Sequence, residues 1–426
     1  MSSKKKTTAT KEDGKPALVP KLRFPEFRDA GGWDVAGLGE LTEFVNERIP
    51  IERLKLADFV STENILPDYS GVTKASKLPS TGSATRFRPN DTLVSNIRPY
   101  LKKVWFSDKD GGASNDVIVI RAKHELLTQY FPFLLRNDSF IDYVMKGAKG
   151  VKMPRGDIDS MKAYPAFYPT KPEQQKIAEC LSSVDELIAA QARKLTALKT
   201  HKKGLMQQLF PREGETQPRL RFPEFQNTGE WGKRQLSQLT TKISDGIHAT
   251  PVYDETGEYT FINGNNLANG KILINEKTKR VNLAEFDRHK NPLDANSILM
   301  SINGTIGNLA IFRDEKVILG KSACFINVDR KLVNKFFIYY LLQTDNVKSF
   351  FDTELTGSTI KNLSLGTIKN IQLLISTLPE QQRIADCLTS LDDLIAAETQ
   401  KLDALKTHKK GLMQQLFPSP DTKQRH

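Results

Sequence analysis

The chain of 426 residues carries 62 lysines and arginines against 50 aspartates and glutamates, a formal net charge of +12. That length suggests two or three domains rather than one core. With 38% hydrophobic residues and no apolar run near the roughly 20 that span a bilayer, a membrane protein is excluded.

Residues 1–19 include Lys4, Lys5 and Lys6 with no apolar stretch after them, which argues for a solvated, disordered tail and against a secretory signal. PKLRFPEF at residues 20–27, followed by Trp33, opens a first stretch that runs to residue 171. Its β-rich runs at 91–96, 103–106 and 117–121 precede an aromatic-rich helix predicted over 127–144. The pattern then repeats. PRLRFPEF at 218–225 and Trp231 open a second stretch within residues 212–378, with β-rich runs at 298–302, 309–312 and 324–328 and a helix predicted over 333–351. Both stretches read as α+β, yet their sequences barely match, apart from a loose echo of residues 147–161 in 357–371.

Between and after them lies the strongest signal. Residues 172–211 recur at 379–418 with 31 of 40 positions identical. Pro172 and Pro379 suit a first helical turn, Glu173 and Glu380 complement the N-terminal dipole, and Pro211 and Pro418 end the helix. Apolar residues alternate at fours and threes: Ile177, Leu181, Val184, Ile188, Leu195, Leu198, Leu205 and Leu209, then Ile384, Leu388, Leu391, Ile395, Leu402, Leu405, Leu412 and Leu416. This heptad seam wants a partner helix, and the copy in the same chain is the natural one. An antiparallel coiled coil with two heads related by a pseudo-twofold axis is the expected architecture. Gln191, Glu398, Lys202 and Lys409 interrupt the seam, either to fix register or as solvated boundary positions.

The loops between the β-rich runs carry the candidate binding residues. Arg98, Tyr100, Lys102 and Lys103 combine a planar donor, a stacking ring and point charges, a mixture that suits DNA. Asn303 and Thr305 sit at the matching place, in a turn with Gly304 and Gly307; an ordinary hairpin is the competing reading. A second cluster, Lys146, Lys149, Lys152 and Arg155, corresponds to Ser358, Thr359, Lys361 and Asn362, where lysines would meet phosphate and the others base edges; a solvated face is the alternative. Arg86, Arg88, Asn265 and Asn266 are weaker candidates.

No catalytic constellation accompanies them. Gly320, Lys321 and Ser322 end like a phosphate loop, but Glu315 stands where its first glycine must be. The Asn/Asp-Pro-Pro-aromatic tetrapeptide of adenine methyltransferases is absent, His201 and His408 read as surface residues, and the dispersed Cys180, Cys324 and Cys387 give neither a disulfide framework nor a zinc site. No metal or cofactor is expected on this chain, and a reducing cytoplasm fits.

A variable, constant, variable, constant chain whose helices open with PEQQ and close with GLMQQLFP resembles the specificity subunits of type I restriction-modification systems. The resemblance implies a target-recognition domain at 20–171, a linker and second target-recognition domain at 212–378, conserved helices at 172–211 and 379–418, and a tail at 419–426. Each domain would read half of a bipartite site in double-stranded DNA, with the paired helices as a ruler. The resemblance further implies partners: two methyltransferase subunits that methylate adenine N6, and ATP-dependent restriction and motor subunits. S-adenosylmethionine, ATP and magnesium would sit on those partners, which would dock on the constant helices and the LRFPEF segments. Two rivals remain at this point. A coiled-coil scaffold with protein-binding ends would be insensitive to DNA sequence, and an RNA-binding accessory factor would show exposed aromatic platforms.

Overall fold

Each constant segment folds as one helix of 39 residues, Lys171–Leu209 and Leu378–Leu416, in the computed structural model, which describes residues 19–355 and 362–418. The expected tails, except Val19, lie outside the described residues. No helix of the described residues is long and apolar enough to cross a membrane.

Compactness divides the chain across both helices rather than between the repeats. One unit joins the chain up to Ala192 with the chain from Lys401 onward, and the other is Arg193–Gln400. Each unit thus holds one head, the opening half of one long helix and the closing half of the other.

In the first unit a four-stranded antiparallel sheet has the order Thr42–Phe44, Val117–Ala122, Thr92–Ser95, Val104–Phe106. The second unit repeats that order with Thr240–Asp245, Ala323–Val328, Ser297–Ser301 and Leu309–Ile311. Six of these eight strands match the predicted β-rich runs. A second sheet in each head contains one parallel pair, Phe59–Val60 with Gly111–Ala113 and Tyr259–Ile262 with Val317–Leu319. One fold therefore underlies two divergent sequences.

The two predicted aromatic helices are each broken in two. Phe131–Leu135 and Asp138–Lys146 replace the first, because Asn137 takes an extended conformation and its side chain accepts a hydrogen bond from the Ser139 amide, starting a new helix. Lys335–Leu341 and Asp345–Leu355 replace the second, with a turn between them at Leu342.

The closing motif of each long helix completes the core of a head. Phe417 packs edge-on against Trp33 at 6.1 Å and stacks on Tyr130 at 5.6 Å, joining Leu416 and Met413 among the buried residues of the first unit. Phe210 does the same in the second unit, against Trp231 at 6.2 Å and Phe337 at 5.5 Å. The core of the N-terminal head is thus finished by residues near the end of the chain.

All sixteen seam residues are buried or half-buried, none exposed. Within the second unit Lys194 pairs with Glu398 at 2.5 Å and Lys202 with Asp392 at 2.6 Å, so the helix segments run antiparallel. Within the first, Lys409 pairs with Asp185 at 2.5 Å while Ile177 and Leu181 share a core with Met413 and Leu416, which gives the same sense. The polar interruptions lie inside the seam: Gln191 is 6% exposed and Glu398 9%, and the side chains of Lys202 and Lys409 are 18% and 16% exposed. That favours the register reading over the solvated boundary. Each lysine lock also reaches a head. Asp392 accepts from the Tyr340 hydroxyl at 2.8 Å, and Asp185 lies 3.6 Å from Arg136, a guanidinium whose proton affinity burial lowers against the opposing pull of Asp185.

Glu173 and Glu380 do more than face the helix dipole. Arg23 grips Glu173 through two hydrogen bonds of 2.7 and 2.8 Å, and Arg221 grips Glu380 at 2.7 and 2.8 Å, each pair nearly sealed from solvent. The next residues, Gln174 and Gln381, are fully buried. Their side-chain amides accept from the Leu127 and Asn334 amides and donate to the Pro169 and Ser376 carbonyls. The constant sequence at each helix start is therefore the joint between helix and head, and the arginine of LRFPEF points inward as part of it.

Candidate nucleic-acid interface

In the first head the loop between Thr92–Ser95 and Val104–Phe106 carries Arg98, Tyr100, Lys102 and Lys103. Arg98 and Lys102 both hold left-handed backbone, at φ 52° and 54°, on either side of the single turn Pro99–Leu101. Non-glycine residues rarely adopt that conformation, and it concentrates where a structure forces it for use. Three bonds do the forcing: the Arg98 amide donates to the Pro154 carbonyl at 2.8 Å, and the Asp68 and Tyr69 amides donate to the Leu101 and Lys102 carbonyls at 3.1 Å each.

The donor to the Pro154 carbonyl reveals what the fold brings together. Ile97 is bridged to Arg155, Lys149 is bridged to Arg155, and the Gly156 amide donates to the Asn96 carbonyl at 3.0 Å. The two clusters, 50 residues apart in sequence, form one surface. Gly156 permits the close approach: an added Cβ would stand 2.3 Å from Met161 Cε and 2.9 Å from Asn96 Oδ1, and those side chains would have to shift.

On this surface Arg98, Tyr100, Lys146, Lys149, Lys152 and Arg155 are exposed. Lys149 lies 2.9 Å from Asp157 and Arg155 2.8 Å from Asp116; both are exposed pairs, worth little and readily exchanged for another anion. Lys149 holds the Asp157 carboxyl below its ordinary range. Lys102 and Lys103 differ from the expectation, because both turn inward. Lys102 pairs with Asp138 at 2.5 Å, and Lys103 donates to the Thr62 carbonyl at 2.5 Å with its pKa lowered by burial.

The second head has the same pair of segments. The turn between Ser297–Ser301 and Leu309–Ile311 is a tight hairpin in which Gly304 and Gly307 take φ 74° and 82° and the Gly307 amide donates to the Ser301 carbonyl at 2.9 Å. Asn303 is bridged to Asn362, and the Leu363 amide donates to the Ile302 carbonyl at 2.9 Å. Thr305 and Asn362 are exposed and Asn303 is half-buried. Ser358, Thr359 and Lys361 lie outside the described residues.

This geometry corrects the loose echo seen in sequence. Asp157 caps the helix Ile158–Lys162 and Ser364 caps Leu365–Lys369, so Arg155 corresponds to Asn362, and the register moves by three from the one that matched Gly147 with Gly357.

The weaker candidates are largely occupied. Arg86 and Arg88 share Glu47 at 3.1 and 3.0 Å. Asn266 closes a short turn, accepting from the Asn263 amide and donating to the Leu273 carbonyl, while Asn265 stays exposed. His201 and His408 are exposed. Among the described residues no group of three His, Cys, Asp or Glu side chains could hold a metal, and burial pushes the Cys324 thiol up to about 12. The buried Arg23 and Arg221 latches were missed. An arginine kept in both LRFPEF repeats and a glutamate kept at the start of both constant segments were the available signal.

The model of the type I restriction modification DNA specificity domain matches twice, at residues 31–200 and 228–407. The chain is similar to the type I restriction enzyme MjaVIII specificity subunit of Methanocaldococcus jannaschii, 23% identical over 419 residues and 93% of either chain. A putative MjaX specificity subunit of the same organism is 24% identical over 69% of this chain and 68% of its own. Two solved structures share the fold. The type I restriction-modification S subunit of M. genitalium is 16% identical, covers 94% of this chain and 100% of its own, and gives a TM-score of 0.61. A chain from a structure addressing complex assembly and conformational transition of the type I system is 18% identical, covers 91% and 98%, and gives 0.53.

Proposed function

Because this chain belongs to the family of type I restriction modification DNA specificity domains and carries two of them, we propose that each unit reads one half of a bipartite, asymmetric site in double-stranded DNA through its paired loops. The observation that supports this most is the same loop pair on the same frame presenting different chemistry: Arg98, Lys149, Lys152 and Arg155 in one head, Asn303, Thr305 and Asn362 in the other. Arginine and asparagine can pair in bidentate fashion with guanine and adenine edges, and lysines meet phosphate. Unlike heads on a like frame imply unlike half-sites.

The chain supplies the address and takes no part in the chemistry. Two methyltransferase subunits, carrying S-adenosylmethionine, would methylate adenine within the site, and restriction or motor subunits using ATP and magnesium would join them in the cytoplasm. The exposed faces of the long helices and the outward residues of the LRFPEF segments, such as Glu26 and Glu224, are the proposed docking surface. The long helices would set the unread gap. Removing one heptad from both copies shortens each by roughly 10 Å at 1.5 Å per residue, so it should change the tolerated gap or abolish binding and leave each half-site unchanged; an altered half-site would contradict the ruler role.

The test is to co-express the chain with its methyltransferase subunit and map methylated adenines by single-molecule sequencing. A bipartite asymmetric motif is expected, and a continuous motif, or none, overturns the proposal.

A further inference from the structure

One feature of the first head is not explained by charge. Lys149 and Arg155 exchange two backbone hydrogen bonds of 2.9 Å, which pinch residues 150–154 into a tip. Gly150, at φ 94°, turns the chain into it, and the buried Pro154 anchors it through the carbonyl that receives the Arg98 amide. Val151 at this tip is 99% exposed and Met153 is 51% exposed.

Single exposed apolar residues are ordinary. Here, however, two of them sit on a backbone pinned at its base, separated only by Lys152 and flanked by the exposed Lys149 and Arg155. Val151 packs on almost nothing in this head, so it contributes little to the fold. The surrounding cations select a polyanion over an apolar protein groove. On DNA an uncharged aliphatic tip has no use for phosphate; its natural place is against the bases, where aliphatic side chains press between steps and unstack them.

We propose that Val151 and Met153 form an apolar wedge that enters the base stack of the half-site bound by the first unit. The proposal rests on the reading of this loop pair as the DNA face. It gives the residues flanking the wedge a division of labour: Lys149 and Lys152 hold the backbone while the aliphatic pair opens a step, easing the departure of a base from the stack.

The test uses the full-length chain and a duplex carrying the mapped site, with 2-aminopurine placed in turn at each step of the first half-site. Val151→Ser with Met153→Ser is compared with Lys152→Ala. Val151 and Met153 lie outside the hydrophobic cores, so thermal unfolding should not move. With the native chain, fluorescence should rise at one step as it unstacks. The double variant should lose that rise and bind roughly tenfold more weakly with an unchanged salt dependence, since no counterion-releasing contact is removed. Lys152→Ala should keep the fluorescence rise and flatten the salt slope by about one ion.

Absence of a fluorescence rise at every step, or unaltered affinity in the double variant, overturns the wedge while a flattened slope in Lys152→Ala still supports the DNA face. If Lys149→Ala, Lys152→Ala and Arg155→Ala all bind as the native chain does, the DNA face itself is wrong, and the wedge falls with it.

Discussion

The two units share a frame and differ at their loops. Each frame has one arginine gripping one glutamate, one glutamine closing the joint, one phenylalanine from the far end of a helix, and one lysine pairing with one aspartate across the seam. The loops above it are strongly cationic in the first head and carry amides and hydroxyls in the second. Residues fixed in both copies thus serve geometry, and under the proposed function the variable ones choose the target.

The largest way to break the likeness is at the latch. Arg221→Ala leaves Glu380 buried without its partner and should cost about 4 kcal/mol. Amide hydrogen exchange should rise in the second unit and spare the first, with Arg23→Ala giving the reverse. Phe417→Ala removes a ring from the core of the first head and should cost about 3 kcal/mol there, although the residue is nearly 400 positions from Trp33 in sequence. Phe210→Ala should transfer that loss to the second unit.

The seam locks sharpen the comparison. Lys409→Met leaves Asp185 beside the Arg136 guanidinium, whereas Lys202→Met leaves Asp392 the neutral Tyr340 hydroxyl, which also bonds Thr389. The expected losses are about 1 kcal/mol for the first and about 2 kcal/mol for the second, read from denaturant unfolding. Equal losses would show that the head residues contribute nothing to the locks. The smallest effect concerns salt: Asn362→Ala should alter the preferred half-site with an unchanged salt slope in fluorescence anisotropy, unlike the lysines of the first head.

What could be read from sequence follows the same division. Helix and heptad were visible because the constant segments occur twice, and the central strands because continuous runs such as residues 117–121 and 324–328 are bounded by turn residues. The outer sheets were not visible, since strands as short as Phe59–Val60 and Gly111–Ala113 carry no alternation. The break at Asn137 was legible but passed over: residues 136–139 are a polar stretch between two apolar runs, and Asn is a favoured N-cap, which the bond from the Ser139 amide realises. At the candidate interface the residue types singled out two loops that the fold brings together. Their meeting through Ile97 and Arg155, and the inward turn of Lys102 and Lys103, depend on tertiary hydrogen bonds that no local pattern encodes.

The central claim is that two independent readers sit on one repeated frame. Its most direct test is the methylated-adenine map of the co-expressed complex, taken for the native chain, for Arg98→Ala and for Asn303→Ala. Arg98→Ala should relax one half of the motif and Asn303→Ala the other, with the gap unchanged in both. If either substitution relaxes both halves, or both act on the same half, the account is contradicted.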